Sequence, residues 1–182
     1  MKRTILAALA ILAVSAIAFA QSADIDKALL AAPGNTKAGA TVIKWKADFT
    51  YDTLKKGTNK LVCYDRSGQP TQSAFSVECT SIENLPRVAQ SLKIEAANPT
   101  DKKARDAAFE ALEKAGMWTK PEFGSVWYHL RGADAEHTST HMTIAVPGAT
   151  EKTMGLPETG AKGGVWIMNA GTTAAHLMTP GE

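Results

Sequence analysis

Between residues 82 and 116 the apolar residues change their period, and that change constrains the fold more than any other feature of the 182-residue chain. Leu85, Val88, Ala89, Leu92 and Ala96 recur at three- and four-residue spacing. After Asn98-Pro99-Thr100-Asp101 the same spacing resumes with Ala104, Ala107, Ala108, Ala111, Leu112 and Ala115. Spacing of that kind lines apolar side chains along one face of a helix. Two helices are therefore expected, the second opened by Asp101 as N-cap and stopped by Gly116. Lysines, arginines and glutamates fill the gaps, so the charge run from Asp101 to Lys114 reads as a solvated helix face.

On both sides of this block the composition turns to β-branched and aromatic residues. Thr41–Leu54 and Lys60–Asp65 are expected as two strands joined at Lys56-Gly57-Thr58-Asn59, followed by a polar loop, Arg66–Gln72, and a short run, Ala74–Cys79. Beyond Gly124 come four more runs, Ser125–Leu130, Thr140–Val146, Val165–Met168 and Thr172–Met178. The compact Asn169-Ala170-Gly171-Thr172 segment between the last two suits a hairpin. Near the start, Ser22-Ala23-Asp24 precedes Ile25, Ala28, Leu29 and Ala32, a two-turn helical pattern that Pro33-Gly34 ends. Strands, then helices, then strands predict an α+β domain with a largely antiparallel sheet, two or three packed helices and one disulfide. Residues 21–182 read as a single domain without an internal boundary.

Residues 1–20 do not belong to that pattern. Lys2 and Arg3 are followed by an apolar or small stretch from Ile5 to Ala20 that closes with Ala18-Phe19-Ala20, the order of a cleavable signal peptide. An uncleaved anchor is the alternative, and either one delivers the domain outside the cytoplasm, to the periplasm or the medium, with no stable membrane insertion after cleavage. The segment holds two of the 20 Lys and Arg and none of the 18 Asp and Glu, so the remainder is balanced at 18 of each. Without clustered positive charge, nucleic acid is not an expected partner. Cys63 and Cys79 are the only two cysteines, with fifteen residues between them. An even pair in an exported chain predicts a disulfide, and neither spacing nor flanks resemble a redox Cys-x-x-Cys centre.

Candidate chemistry concentrates in the last third, which holds all four histidines, His129, His137, His141 and His176. Side chains two apart on a strand share a face, so His137 and His141 group together, as do Trp127 with His129 and His176 with Met178. In Thr140–Val146 the alternation sends Met142, Ile144 and Val146 to the core. One expectation is a ligand site at His129, His141 and His176. Another is a copper or zinc site drawn from His137, His141, His176 and Met178, with Asp134 and Glu136 as possible oxygen ligands, because imidazole and thioether suit those metals. The competing reading is of ordinary sheet histidines beside core methionines. His137-x-x-x-His141 lacks the glutamate of a helical zinc-protease motif. Nucleophile-elbow, phosphate-loop and dinucleotide motifs are missing, and glycine-rich Gly160–Gly164 reads as a loop, since no helix follows it. Catalytic residues are thus unassigned. Of the tryptophans, Trp166 is expected in the core among Val165, Ile167 and Met168.

Gly57-Thr58-Asn59 ahead of a cysteine-bearing strand, Trp127-Tyr128-His129-Leu130, Thr140-His141-Met142 and the ending Trp166-x-Met168-x-x-Gly171-Thr172-x-x-x-His176-x-Met178-x-Pro180 resemble a group of secreted bacterial proteins without an established activity. The chain departs from the group's pattern at Leu61-Val62, where a tryptophan is usual, and at Thr173, where a proline is usual. The resemblance implies a fold unit and an export route and says nothing of chemistry. Three functions follow as expectations: an exported domain binding a small molecule or metal near the C-terminal histidines, a hydrolase-like enzyme with a histidine general base, or an envelope-associated protein-interaction module. Convergence of the histidines on a concavity separates the first two from the third.

Overall fold

The structure, a computed structural model, describes residues 21–179, and the expected signal segment lies outside the described residues. Residues 21–28 are helical and continue as a 3-10 turn, Leu29–Ala31, with a short turn of helix at Gly34–Lys37. Eight strands follow: β1 (Thr41–Trp45), β2 (Tyr51–Lys55), β3 (Leu61–Asp65), β4 (Phe75–Ser81), β5 (Val126–Gly132), β6 (Thr138–Ala145), β7 (Trp166–Met168) and β8 (His176–Met178). Between β4 and β5 lie the two long helices, α1 (Leu85–Ala97) and α2 (Lys102–Lys114). The strands form one sheet in the order β2-β1-β3-β4-β5-β6-β8-β7, in which β1–β3 is the one parallel pairing. This is the expected α+β fold.

The helices end where their sequence ends them. Asp101 caps α2 by accepting from the Ala104 N–H at 2.9 Å, and Gly116 takes the left-handed conformation (φ 65°) just beyond it. α2 buries no residue fully, as its charged face requires. The predicted first strand is two strands. At residues 46–50 the chain turns back, with the Asp48 carboxylate accepting from both the backbone N–H and the hydroxyl of Thr50, and Phe49 at φ 65°. Lys56–Asn59 is therefore no hairpin turn. It carries the chain past β1, so that β3 pairs parallel to β1 on its other side.

Gly57 makes that crossing fit. Thr58 and Asn59 both donate their N–H to the Gly39 carbonyl, and Gly57 donates to the Thr41 hydroxyl. A Cβ on Gly57 would stand 2.3 Å from the Gly39 oxygen and 2.4 Å from the Thr41 nitrogen, both backbone atoms. Gly57→Ala is expected to destabilise the domain by about 1–3 kcal/mol, the range for overpacking. Urea denaturation measures it, and an unchanged midpoint would mean that the crossing yields freely.

Both faces of the sheet are covered over its first half. On one, the N-terminal helical segment lays Ala28 and Leu29 over Val42, Cys63 and Cys79. The two cysteines sit opposite each other on β3 and β4 and form the predicted disulfide, with both residues at 0% exposure. On the other face, Leu85, Val88 and Leu92 of α1 pack on Ile43, Val62 and Tyr64. A third cluster joins Val146, Ala149, Ile167 and Ala175. Two core expectations are corrected here. Met142 is 40% exposed, because β8 pairs with β6 only at Ile144 and Ala145 and leaves residues 138–142 uncovered. Trp166 is half-buried with its ring against Gly160, and Ile167 takes the core position instead. Among the described residues no helix is long and apolar enough to cross a membrane.

Candidate functional site

Strand register sets a row of side chains across the sheet, Tyr64, Glu78, His129 and His141, each directly opposite the next on β3, β4, β5 and β6. Alternation places these on the face that carries α1. Towards β1 that face is apolar, and from β4 onwards it turns polar. A cavity of about 440 Å³ opens there, floored by Trp127, His129, Thr143 and Ala145, walled by α1 and closed at one end by the 173–176 segment that leads into β8.

One wall is a compact set of ion pairs. Arg66 bonds Glu95, lies 3.6 Å from Glu78 and donates through Nε to Gln69. Arg131 reaches the same Glu78 oxygen at 3.3 Å. Glu78 is 3% exposed, and burial alone would raise its pKa. Contact with His129 and the charges of Arg66 and Arg131 outweigh burial and bring it down to about 2. Burial likewise opposes the charge on Arg66, yet Glu78 and Glu95 hold its pKa above the ordinary value. Tyr64, fully buried, donates its hydroxyl to Glu78 at 3.3 Å. Burial and that carboxylate push its phenol well upward.

His129 touches both signs of charge through one atom. Its Nδ1 is 2.8 Å from Arg131 Nη2 and 3.2 Å from Glu78 Oε1. A guanidinium can only donate. A neutral His129 therefore accepts from Arg131 and carries its own proton on Nε2, whereas a protonated one donates to Glu78. His176 donates Nδ1–H to the Ala174 carbonyl at 2.8 Å and lines the far end of the cavity. His141 stands outside the cavity with its ring 5.9 Å from that of His129. Its pKa is lowered by partial burial first, then by His129, Arg131 and His176.

Arg87 forms the other wall, at 7% exposure. Its Nη1 donates to the Thr119 carbonyl at 2.7 Å and to the Thr173 hydroxyl at 3.2 Å, and its Cζ lies over the Trp118 ring, 3.7 Å from the ring centre. Thr173 in turn donates to Glu113, so that carboxylate acts on Arg87 at one remove. Among the described residues no carboxylate lies within ion-pair distance of Arg87. Burial lowers its pKa to about 10, against a weaker opposing pull from Glu113.

The structure thus brings His129 and His176 to one cavity and leaves His141 at its edge. The residues expected to form a metal site are not gathered. His137 is held at the exposed β5–β6 turn by Asp134, 2.8 Å from its ring, His176 lies opposite Ala145, four positions along β6 from His141, and Met178 sits beside Trp166. Among the described residues no three His, Cys, Asp or Glu side chains form a metal-binding group.

Sequence reasoning missed Glu78 and the arginines. One signal was available: Arg87, Ser91 and Glu95 recur every four residues on α1, a polar stripe beside the apolar one, and all three line the cavity. Comparisons of the chain with protein-family models, with curated proteins and with solved structures find no match.

Proposed function

We propose that the chain is an exported binding domain whose cavity takes a small organic anion. Arg87 carries the reading. A buried guanidinium whose direct partners are neutral acceptors and an aromatic face, with Glu113 only at one remove, is an incompletely compensated charge, and an anion in the cavity it lines would complete the compensation. His129 lines the same cavity with its Nδ1 occupied by Arg131 and Glu78, which suits a binding wall better than it suits general-base catalysis. The 3.2 Å contact between Glu78 and His129 keeps the enzyme reading as the alternative. Export is supported by the signal-like residues 1–20, by the disulfide, a bond of oxidising compartments, and by the resemblance to secreted bacterial proteins.

The test is thermal unfolding of residues 21–182 against a panel of small carboxylates and phosphates. A ligand at a hundred times its Kd stabilises by about 2.7 kcal/mol, a Tm rise of roughly 5–10 °C for a chain of this size. Arg87→Gln is expected to abolish the rise. A panel without effect on the wild type, or equal shifts in the variant, would refute the reading.

A further inference from the structure

Resting on that anion-site reading, we propose that the occupant is an amphipathic monocarboxylate, with its carboxylate on the free edge of Arg87 and its apolar body over Trp127. The charge balance sets the valence. Three guanidinium groups line the cavity, and two of them, Arg66 and Arg131, are matched by Glu78 and Glu95. Arg87 has no carboxylate in direct contact and feels Glu113 only through Thr173, so a single negative charge is the complement it lacks.

Geometry sets the shape of the head group. Nη1 of Arg87 spends its two protons on Thr119 and Thr173, leaving the edge formed by Nε and Nη2. Neither atom has an acceptor among the described residues, and neither is among the buried polar atoms sealed from solvent without a partner. That edge presents two parallel N–H groups, the fork that matches the two oxygens of a carboxylate.

The remaining walls set the body. Val88 of α1, Pro121, Trp127 of β5, Ala145 of β6 and Ala174 offer apolar surface in the same cavity as Arg87. Trp127 is half-buried and lines the cavity. A volume of about 440 Å³ exceeds the needs of a lone inorganic ion and falls in the range of small-molecule sites. Burying a ring or short alkyl chain on this surface is worth about tenfold in affinity or more.

The experiment is calorimetric titration of residues 21–182 at neutral pH with four probes: 3-phenylpropionate, acetate, inorganic phosphate and 3-phenylpropylamine. The expected result is saturable binding of one equivalent of 3-phenylpropionate, at least about tenfold tighter than acetate or phosphate, with no binding of the amine. Arg87→Lys keeps a charge but removes the fork, and should weaken 3-phenylpropionate by about tenfold or more relative to the wild type. Trp127→Ala should erase the preference for 3-phenylpropionate over acetate, and circular dichroism of each variant checks its fold. If phosphate or acetate binds as tightly as 3-phenylpropionate, the anion site stands and the amphipathic occupant is refuted. If none of the three anions binds, or if Arg87→Lys and Trp127→Ala leave 3-phenylpropionate unaffected, both fail.

Discussion

Glu78→Gln should destabilise the domain by about 3–5 kcal/mol, the penalty for removing one partner from a buried ion-pair cluster. Glu78 stands on the central strand β4, all seven of whose residues are buried, and is the carboxylate that Arg66 and Arg131 share. Glutamine keeps the shape and removes the charge. The same residue sets an acid response. Its folded pKa of about 2 lies below the ordinary 4.5, so the stability it contributes is fully present above pH 4.5 and is lost as pH falls towards 2. On the order of 3 kcal/mol is at stake in that window. Urea melts of wild type and Glu78→Gln between pH 7 and pH 2.5 are the measurement. The wild type should lose stability steeply below pH 4.5 and the variant should lose less. Parallel slopes would mean that other carboxylates drive acid unfolding.

Removing the disulfide should have an effect of similar size. Closing the loop from Cys63 to Cys79 contributes about 3 kcal/mol by restricting the unfolded chain, and the double variant Cys63→Ala, Cys79→Ala is expected to lose that amount. Both sulfurs are sealed beneath the N-terminal helical segment, where Ala28 and Leu29 cover them. A reductant therefore reaches them only when that segment lifts or the domain unfolds. Native protein in dithiothreitol should keep its bridge far longer than protein in dithiothreitol with urea, as thiol labelling and mass spectrometry would record. Rapid labelling of the native state would place the bridge nearer solvent than the packing implies, and an undiminished urea midpoint in the double variant would remove its role in stability.

The helices were legible because their signals are local: an acidic cap, a glycine stop and an apolar stripe each act within a few residues. The β1–β2 turn was not, since it uses neither glycine nor proline, but an Asp48 side chain that satisfies Thr50 and a phenylalanine in the left-handed region. The parallel joint of β1 and β3 was beyond reach as well, because a four-residue link serves a hairpin more often than a crossing. At the site, the clustering of histidines pointed to the correct half of the sheet, and strand alternation placed Trp127 and His129 together on one face. What alternation cannot give is register between strands. His176 falls opposite Ala145 instead of His141, and Glu78 meets His129, through pairings about thirty and about fifty residues apart in sequence. The arginines escaped notice for the same reason, since a lone arginine on a strand or helix reads as solvated until its neighbours are known.

The seam between β4 and β5 also joins two halves that are distant in sequence. β3 with β4, β5 with β6 and β7 with β8 are pairs of consecutive strands that close over short distances, whereas β4 meets β5 only after both long helices have been traversed. Contacts so distant in sequence are the slow ones to form. Glu78 and Arg66 arrive with the first half of the chain, His129, Arg131, Trp127 and Thr173 with the second, and the cavity exists only once the halves have docked. Its two sides are therefore expected to meet late in folding, and a ligand held between them would act as a clasp, favouring the completed molecule over a half-folded one.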